Sequence, residues 1–244
     1  MRPQQTKNKY HEAGRKEALY FRNPYEVYVA IRENDKIKNW LNFISSQYIP
    51  SERKKVLLFY PCSAVKPYYR SRSYKKLINT LSKLGEMRRE IHLITVSEPF
   101  GLIPEEFYYK WKYWYECPGL FKWWCSKHGE KYSAKYVKMC IEILGDCVSK
   151  FLKRAFDKGL YDVAIGFVRT YSSNLSINMD HTHRKILEKA SQLSGVHIDL
   201  LPPKDVVKEI VEKRGRLAWD LQGVAHPIAQ EYLLEYLINL LNYT

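Results

Sequence analysis

The chain has 244 residues, with 40 Lys and Arg against 26 Asp and Glu and a formal net charge of +14. A hydrophobic fraction of 45% with 14% aromatics excludes the disordered class, and no apolar run reaches the ~18 residues of a membrane span. Five cysteines at wide spacings suit reduced thiols better than a disulfide framework. No charged-then-apolar leader opens the sequence, so a cytoplasmic globular protein with no membrane partner is expected. At roughly 100–200 residues per domain, one large domain or one domain with an appendage fits the length. The positive excess favours a polyanionic partner through counterion release, with a basic surface that only aids solubility as the alternative.

Residues 1 to about 20 are polar and basic (Lys7, Lys9, Arg15, Lys16) and read as an arm. Asn23-Pro24 reads as an N-cap with proline at the first helical position, opening one or two helices to about Tyr48. The apolar run Val56 to Tyr60 has the form of a buried parallel strand, and Ile91 to Val96 is a second. Between them Ser71 to Leu84 reads as a helix closed by Gly85. A long helix over Lys131 to Lys158 precedes a third strand, Asp162 to Val168. Asp180 can cap a helix running to Leu193 and stopped by Gly195, before a fourth strand over Val196 to Leu201. Asp205 can start another short helix, and Pro227 to Leu241 makes the last one. This alternation predicts an α/β fold: a mainly parallel central sheet of four or slightly more strands, helices on both faces, and a helical N-terminal extension. Residues 1–50 form the arm and extension, and 51–244 the α/β core, packed as one unit.

Ligands of open parallel sheets bind beyond the carboxyl ends of the strands. That rule selects the loops Pro61 to Ser73, Ser97 to Pro104, Arg169 to Asn174 and Pro202 to Asp205. In the first, a strand delivers Pro61, Cys62, Ser63, Lys66, Pro67 and Tyr68, and a helix starting near Ser71 receives them. Helix N-termini attract anions, and Arg70 and Arg72 add to that field. A thiol there can be a nucleophile, and a partly desolvated lysine a nucleophile or base. The plain alternatives are a small buried hydrophobe for Cys62, a solvated Lys66, and serines that only cap a helix.

This stretch resembles the signature of the archaeosine synthase alpha subunit family, P-C-x-x-x-K-P-Y-x-x-S-x-x-H, with Pro61, Cys62, Lys66, Pro67, Tyr68 and Ser71 on its fixed positions. The second loop, Ser97 to Glu106, is similar to the family's S-P-L-G-x-V-P-x-E-L segment, and Tyr115 to Gly119 to its Y-D-x-P stretch. The resemblance spans about residues 55 to 200 and implies a core domain related in fold to uracil-DNA glycosylases. It further implies addition of an amine, lysine, to the nitrile of a 7-deazaguanine base in archaeal tRNA. On that basis Cys62, Lys66 and Glu98 are the expected catalytic set. Pro61, Ser63, Pro67, Tyr68, Ser71, Ser97, Gly101 and Glu116 would bind substrate. Two departures stand out. Tyr74 occupies the place of the closing histidine, leaving that residue's role unfilled or reassigned. The family's transglycosylase-like barrel and RNA-binding PUA domain do not fit in 244 residues, which implies a partner that supplies the tRNA.

The stretch Tyr108 to Lys127 interleaves rings with lysines, as a stacking surface for nucleic acid would, or as a core element with solvated lysines. Arg70, Arg72, Lys110 and Lys112 are the expected nucleic-acid contacts. Cys117, Cys125 and His128 are too widely spaced for a zinc site, and His181 and His183, two apart, are not expected to act jointly. No P-loop or dinucleotide fingerprint is present, so no cofactor and no metal are expected. A binding module for tRNA or another nucleic acid, or a glycosylase-like protein reading DNA bases, is the alternative to the enzyme.

Overall fold

The computed structural model describes residues 19–110, 115–177 and 181–243. The basic arm (Lys7, Lys9, Arg15, Lys16), Lys112 with Trp111, Tyr113 and Trp114, and the Asp180 cap lie outside the described residues. In chain order the elements are β1 (Leu19–Tyr20), α1 (Pro24–Glu33), α2 (Asp35–Asn42), β2 (Val56–Pro61), α3 (Arg72–Ser82), β3 (Ile91–Ser97), β4 (Gly101–Pro104) and β5 (Tyr115–Glu116). They continue with α4 (Lys122–His128), α5 (Ala134–Asp157), β6 (Val163–Phe167), α6 (Thr182–Ser194), β7 (Ile198–Leu201), α7 (Lys204–Arg214), α8 (Arg216–Gln222) and α9 (Pro227–Tyr243).

Five strands form the main sheet in the order β4-β3-β2-β6-β7, and all neighbours are parallel except β3 and β4. The all-apolar run of β2 is explained by its place: it lies between β3 and β6, and Val56 through Phe59 are 0% exposed. Burying each such side chain contributes about 1.5–3 kcal/mol. The Ser97 to Pro104 segment, read as a loop, is instead a hairpin in which β4 returns antiparallel along β3, pairing Ser97 with Gly101. Gly101 takes a φ of 70°, which a side chain rarely adopts.

The chain runs β2-α3-β3 toward one edge and β6-α6-β7 toward the other. Because such crossovers are right-handed, α3 and α6 cover opposite faces, and the switch point lies between β2 and β6. Accordingly α5 packs along α6 and α1, whereas α3 packs on α9 and α9 on α7. The N-terminal helices share the core, with Val27, Ile31, Ile37 and Ile44 buried in the same cluster as the sheet.

The N-terminal segment also fixes a loop beside the switch point. β1 pairs parallel with β5, and the Phe21 N–H continues to the Glu116 carbonyl at 3.0 Å. Asn23 caps α1 by accepting from the Glu26 N–H at 3.0 Å. Gly119 touches this turn so closely that a Cβ would sit 2.4 Å from the Asn23 nitrogen and 2.6 Å from the Arg22 carbonyl carbon. Both obstacles are backbone, so neither can swing aside. Gly119→Ala should therefore destabilise by about 1–3 kcal/mol. Urea unfolding checks this, and a midpoint equal to that of the parent chain would contradict the close approach.

Candidate active site

β2 ends at Pro61, and the ladder runs one step further, with the Cys62 N–H donating to the Val96 carbonyl at 2.9 Å. That bond holds Cys62 beside the end of β3, where Ser97 and Glu98 follow. The Cys62 Sγ lies 3.7 Å from Glu98 Oε2 and 3.4 Å from His183 Nε2. The same Nε2 lies 3.0 Å from Glu98 Oε2. The second Glu98 oxygen accepts from the Thr182 hydroxyl. Three segments thus meet at one point: the end of β2, the end of β3 and the first turn of α6. Glu98 and His183 are only 2% and 3% exposed, and Cys62 is partly open.

Electrostatics follow from this contact. Burial works against the charged form of Glu98, but the His183 charge and the hydrogen bonds from His183 and Thr182 outweigh it and hold the carboxyl well below its usual range. Burial likewise works against the His183 imidazolium, and the Glu98 charge, with Cys62, raises its pKa above the usual value. The neighbouring His181 goes the other way. Burial first, then the charges of His183 and Arg169, lower its pKa to about 3. Its ring lies 5.2 Å from that of His183, and its Nδ1 is buried without a partner among the described residues. The two histidines are neighbours after all, because His181 is the N-cap of α6 and not a helical residue.

Lys66 is 5% exposed, and its Nζ sits 3.9 Å from the centroid of the Tyr115 ring. Among the described residues no carboxylate lies within 4.0 Å of it. Burial lowers the Lys66 pKa, and Cys62, Cys117, Glu116 and Glu98 pull partly back. The solvated lysine is thereby replaced by a desolvated amine against an aromatic face. Tyr68 is fully buried, its hydroxyl 2.5 Å from that of Tyr115, which in turn meets the Ser97 hydroxyl. Ser97 and Tyr68 therefore set the Tyr115 wall and do not face open space. Tyr74, at the histidine position of the signature, donates to the Pro61 carbonyl at 3.2 Å and pairs with the Thr95 hydroxyl. It steadies the end of β2, and the imidazole that meets Cys62 belongs to His183 of α6.

The remaining expected residues are spread around this centre. Ser63 donates to Ser71 at 2.8 Å, and Ser71 pairs with Ser73 at 2.8 Å, so Ser71 holds the loop and its side chain does not cap α3. Pro61 and Pro67 are partly buried within the same loop. Glu116 is exposed on β5. Gly101 is not brought to the cluster, since a Cβ there would meet Leu41 and Cys147. Arg70, Arg72 and Lys110 are exposed. Beside them Tyr69 and Tyr109 stack at 5.0 Å while remaining 40% and 81% exposed. Cys125 points at the Gly119 carbonyl (3.2 Å) and His128 stacks on Trp124, so with Cys117 they form no joint site. The donors that do converge are Cys62, Glu98 and His183, all within 4.8 Å of one another, a set that can hold a metal ion.

A family described as a domain of unknown function, DUF5591, matches residues 37–158, half of the chain. The chain belongs to the DUF5591 family. Curated relatives carry the name archaeosine synthase subunit alpha. The protein of Thermoplasma acidophilum is 42% identical over 65 residues, 27% of this chain and 12% of the relative. That of Thermococcus kodakarensis is 24% identical over 184 residues, 75% of this chain and 26% of the relative. That of Methanosarcina acetivorans is 38% identical over 63 residues, 26% of this chain and 9% of the relative. The matched region thus spans about a quarter or less of each relative.

The Glu98–His183 contact has a signed pH dependence. Glu98, with a lowered pKa, stabilises the fold above the ordinary carboxyl value of about 4.3 and loses that contribution as pH falls. His183, with a raised pKa, contributes fully below the ordinary imidazole value of about 6.5 and loses it as pH rises toward the folded value. The difference in unfolding temperature between the parent and His183→Gln should be largest between about pH 5 and 6.5 and shrink on the alkaline side. A difference that stays constant from pH 5 to 9 would contradict the ion pair.

Proposed function

We propose that this DUF5591 protein modifies archaeal tRNA in the cytoplasm, adding an amine, lysine, across the nitrile of a 7-deazaguanine base as in archaeosine formation. The observation that carries the reading is the meeting of Cys62, Glu98 and His183 with the desolvated Lys66 beside them. The signature residues and the printed name of the relatives support it. The word subunit in the relatives' printed name supports a partner protein.

The chemistry needs a nucleophile, a proton acceptor, a proton donor and a way to free the amine. The Cys62 Sγ adds to the nitrile carbon and one C–N π bond opens. The thiol proton passes to Glu98, and the nitrile nitrogen takes a proton from His183, giving a thioimidate. Glu98 then returns its proton to His183 across their shared contact. The incoming amine, losing its extra proton to Lys66, attacks the thioimidate carbon. As the C–S bond breaks, the attacking nitrogen gives up a proton that returns to the sulfur, an amidine remains, and Lys66 passes its proton to the amidine, which leaves as the amidinium. No oxidant, reductant or cofactor is consumed.

Tyr115 and Lys66 line one side of the reacting point, and Glu116 reads the edge of the displaced base. Ser63, Ser71, Pro61 and Pro67 shape the loop that presents Cys62. The exposed pair Tyr69 and Tyr109, flanked by Arg70, Arg72 and Lys110, offers a ring for a neighbouring nucleotide and cations for its phosphates.

Two measurements test this. Incubation with tRNA bearing the nitrile base should give a covalent adduct by mass spectrometry, and an amidine once lysine is added. Cys62→Ser should abolish the adduct, and His183→Gln should slow its formation by roughly 10²–10⁴-fold. Adduct formation unaffected by Cys62→Ser removes the nucleophile, and salt-sensitive tRNA binding without any mass change favours the binding module. Separately, Tyr109→Ala should weaken tRNA binding by about 1–3 kcal/mol with an unchanged unfolding temperature. Equal affinity would leave the tyrosine pair without a role.

A further inference from the structure

The three side chains at the reacting point also satisfy a different demand. Zinc in a tetrahedral site lies about 2.3 Å from sulfur and about 2.0–2.2 Å from nitrogen or oxygen, which sets donors about 3.3–3.6 Å apart. Here Sγ of Cys62 and Nε2 of His183 are 3.4 Å apart, Sγ and Oε2 of Glu98 3.7 Å, and Nε2 and Oε2 3.0 Å. These atoms make one face of such a tetrahedron with shifts of a few tenths of an ångström. Each donor is held independently of any ion. The Cys62 backbone is fixed to Val96, Glu98 is anchored through its other oxygen by Thr182, and His183 sits in the first turn of α6. A thiolate and a carboxylate cancel a divalent charge, and with a neutral imidazole the site is electrically closed. Thiolate with imidazole selects zinc and its neighbours over magnesium or calcium, which prefer all-oxygen shells. Cys62 is the partly exposed member of the three, which gives an ion a way in.

We propose that Cys62, Glu98 and His183 form a three-ligand site for one divalent ion of the zinc class, and that its occupation silences the Cys62 thiol. The ligand set stands whether or not the thiol is a nucleophile, and the silencing rests on that reading. A sulfur committed to zinc cannot add to a nitrile carbon. Zinc and the thioimidate are therefore mutually exclusive, and zinc inhibits.

The test uses the full chain, stripped with a chelator and titrated with zinc against a chromophoric competitor, without RNA. One tight equivalent per chain is expected. Cys62→Ser and His183→Gln should each weaken it by about 100-fold or more, whereas His128→Gln, on exposed α4, should leave it unchanged. Cobalt in place of zinc should give a thiolate-to-metal charge-transfer band that Cys62→Ser abolishes, and zinc should slow alkylation of Cys62. Thermal unfolding of each variant separates loss of the site from loss of the fold. Absence of a tight equivalent, or zinc binding indifferent to Cys62→Ser, overturns the site. Adduct formation by the metal-free chain that zinc does not suppress overturns the silencing alone. Failure of the metal-free chain to form any adduct, with zinc binding intact, falls on the proposed function and not on the ligand set.

Discussion

The Glu98–His183 contact is the constraint on which the rest of the centre depends. Two charges buried at 2% and 3% exposure carry a large desolvation penalty, which close geometry and added hydrogen bonds must offset. Both are present: the 3.0 Å contact between the pair and the Thr182 hydroxyl on the second oxygen. The N-terminus of α6 faces the carboxylate as well, and a helix start favours a negative charge. Removing one partner strands the other, at a cost of about 3–5 kcal/mol in comparable buried pairs. The pair therefore joins the end of β3 to the start of α6 and fixes both over the end of β2.

That junction coincides with the point where the sheet reverses direction. β2 leads to β3 on one side and β6 leads to β7 on the other, so the crevice between them is left uncovered by either crossover. Cys62 leaves β2 at that crevice, and the loop after β6 returns His181, Thr182 and His183 to it. The far wall is built from buried hydroxyls: Tyr68 to Tyr115 to Ser97, and Tyr74 to Thr95 to Tyr108. Tyr115 is held from behind by the β1–β5 pair, so the N-terminal segment governs where the ring under Lys66 lies. The departure at Tyr74 is intelligible in these terms. A phenol at that position ties Pro61 to Thr95, and the imidazole enters from a different helix.

Much of this was legible in the sequence, for physical reasons that also mark the limits. β2 and β6 announce themselves because inner strands buried on both faces need nearly unbroken apolar runs, and β3 keeps that pattern around His92 and Thr95. β7 is an edge strand that admits Asp199, and Gly195, at a φ of 75°, marks the end of α6. Cys62, Lys66 and Glu98 are visible because they follow strand ends. β4 is not visible, since four residues behind a proline and a glycine look like a loop until they pair with β3. His183 is not visible as a partner because it is 121 residues from Cys62, and the two-residue spacing hides that His181 caps α6 and does not lie within it. The burial of Lys66 is only conditional in the sequence, and the fold supplies it by placing the amine against the Tyr115 ring.

Lys66 bears on both proposals for this cluster, the covalent chemistry and the metal site. A fully charged ammonium beside the thiol would favour a thiolate and repel a dication. A fully neutral amine would do neither, and would instead accept a proton. Burial shifts Lys66 toward the neutral form, while Cys62, Cys117, Glu116 and Glu98 oppose that shift. Burial is the larger of these causes, so the balance runs toward the amine that can take a proton. A neutral amine does not repel a divalent ion beside it, and in the metal-free cluster it can deprotonate an incoming amine. Both behaviours follow from a single desolvated nitrogen packed on an aromatic face.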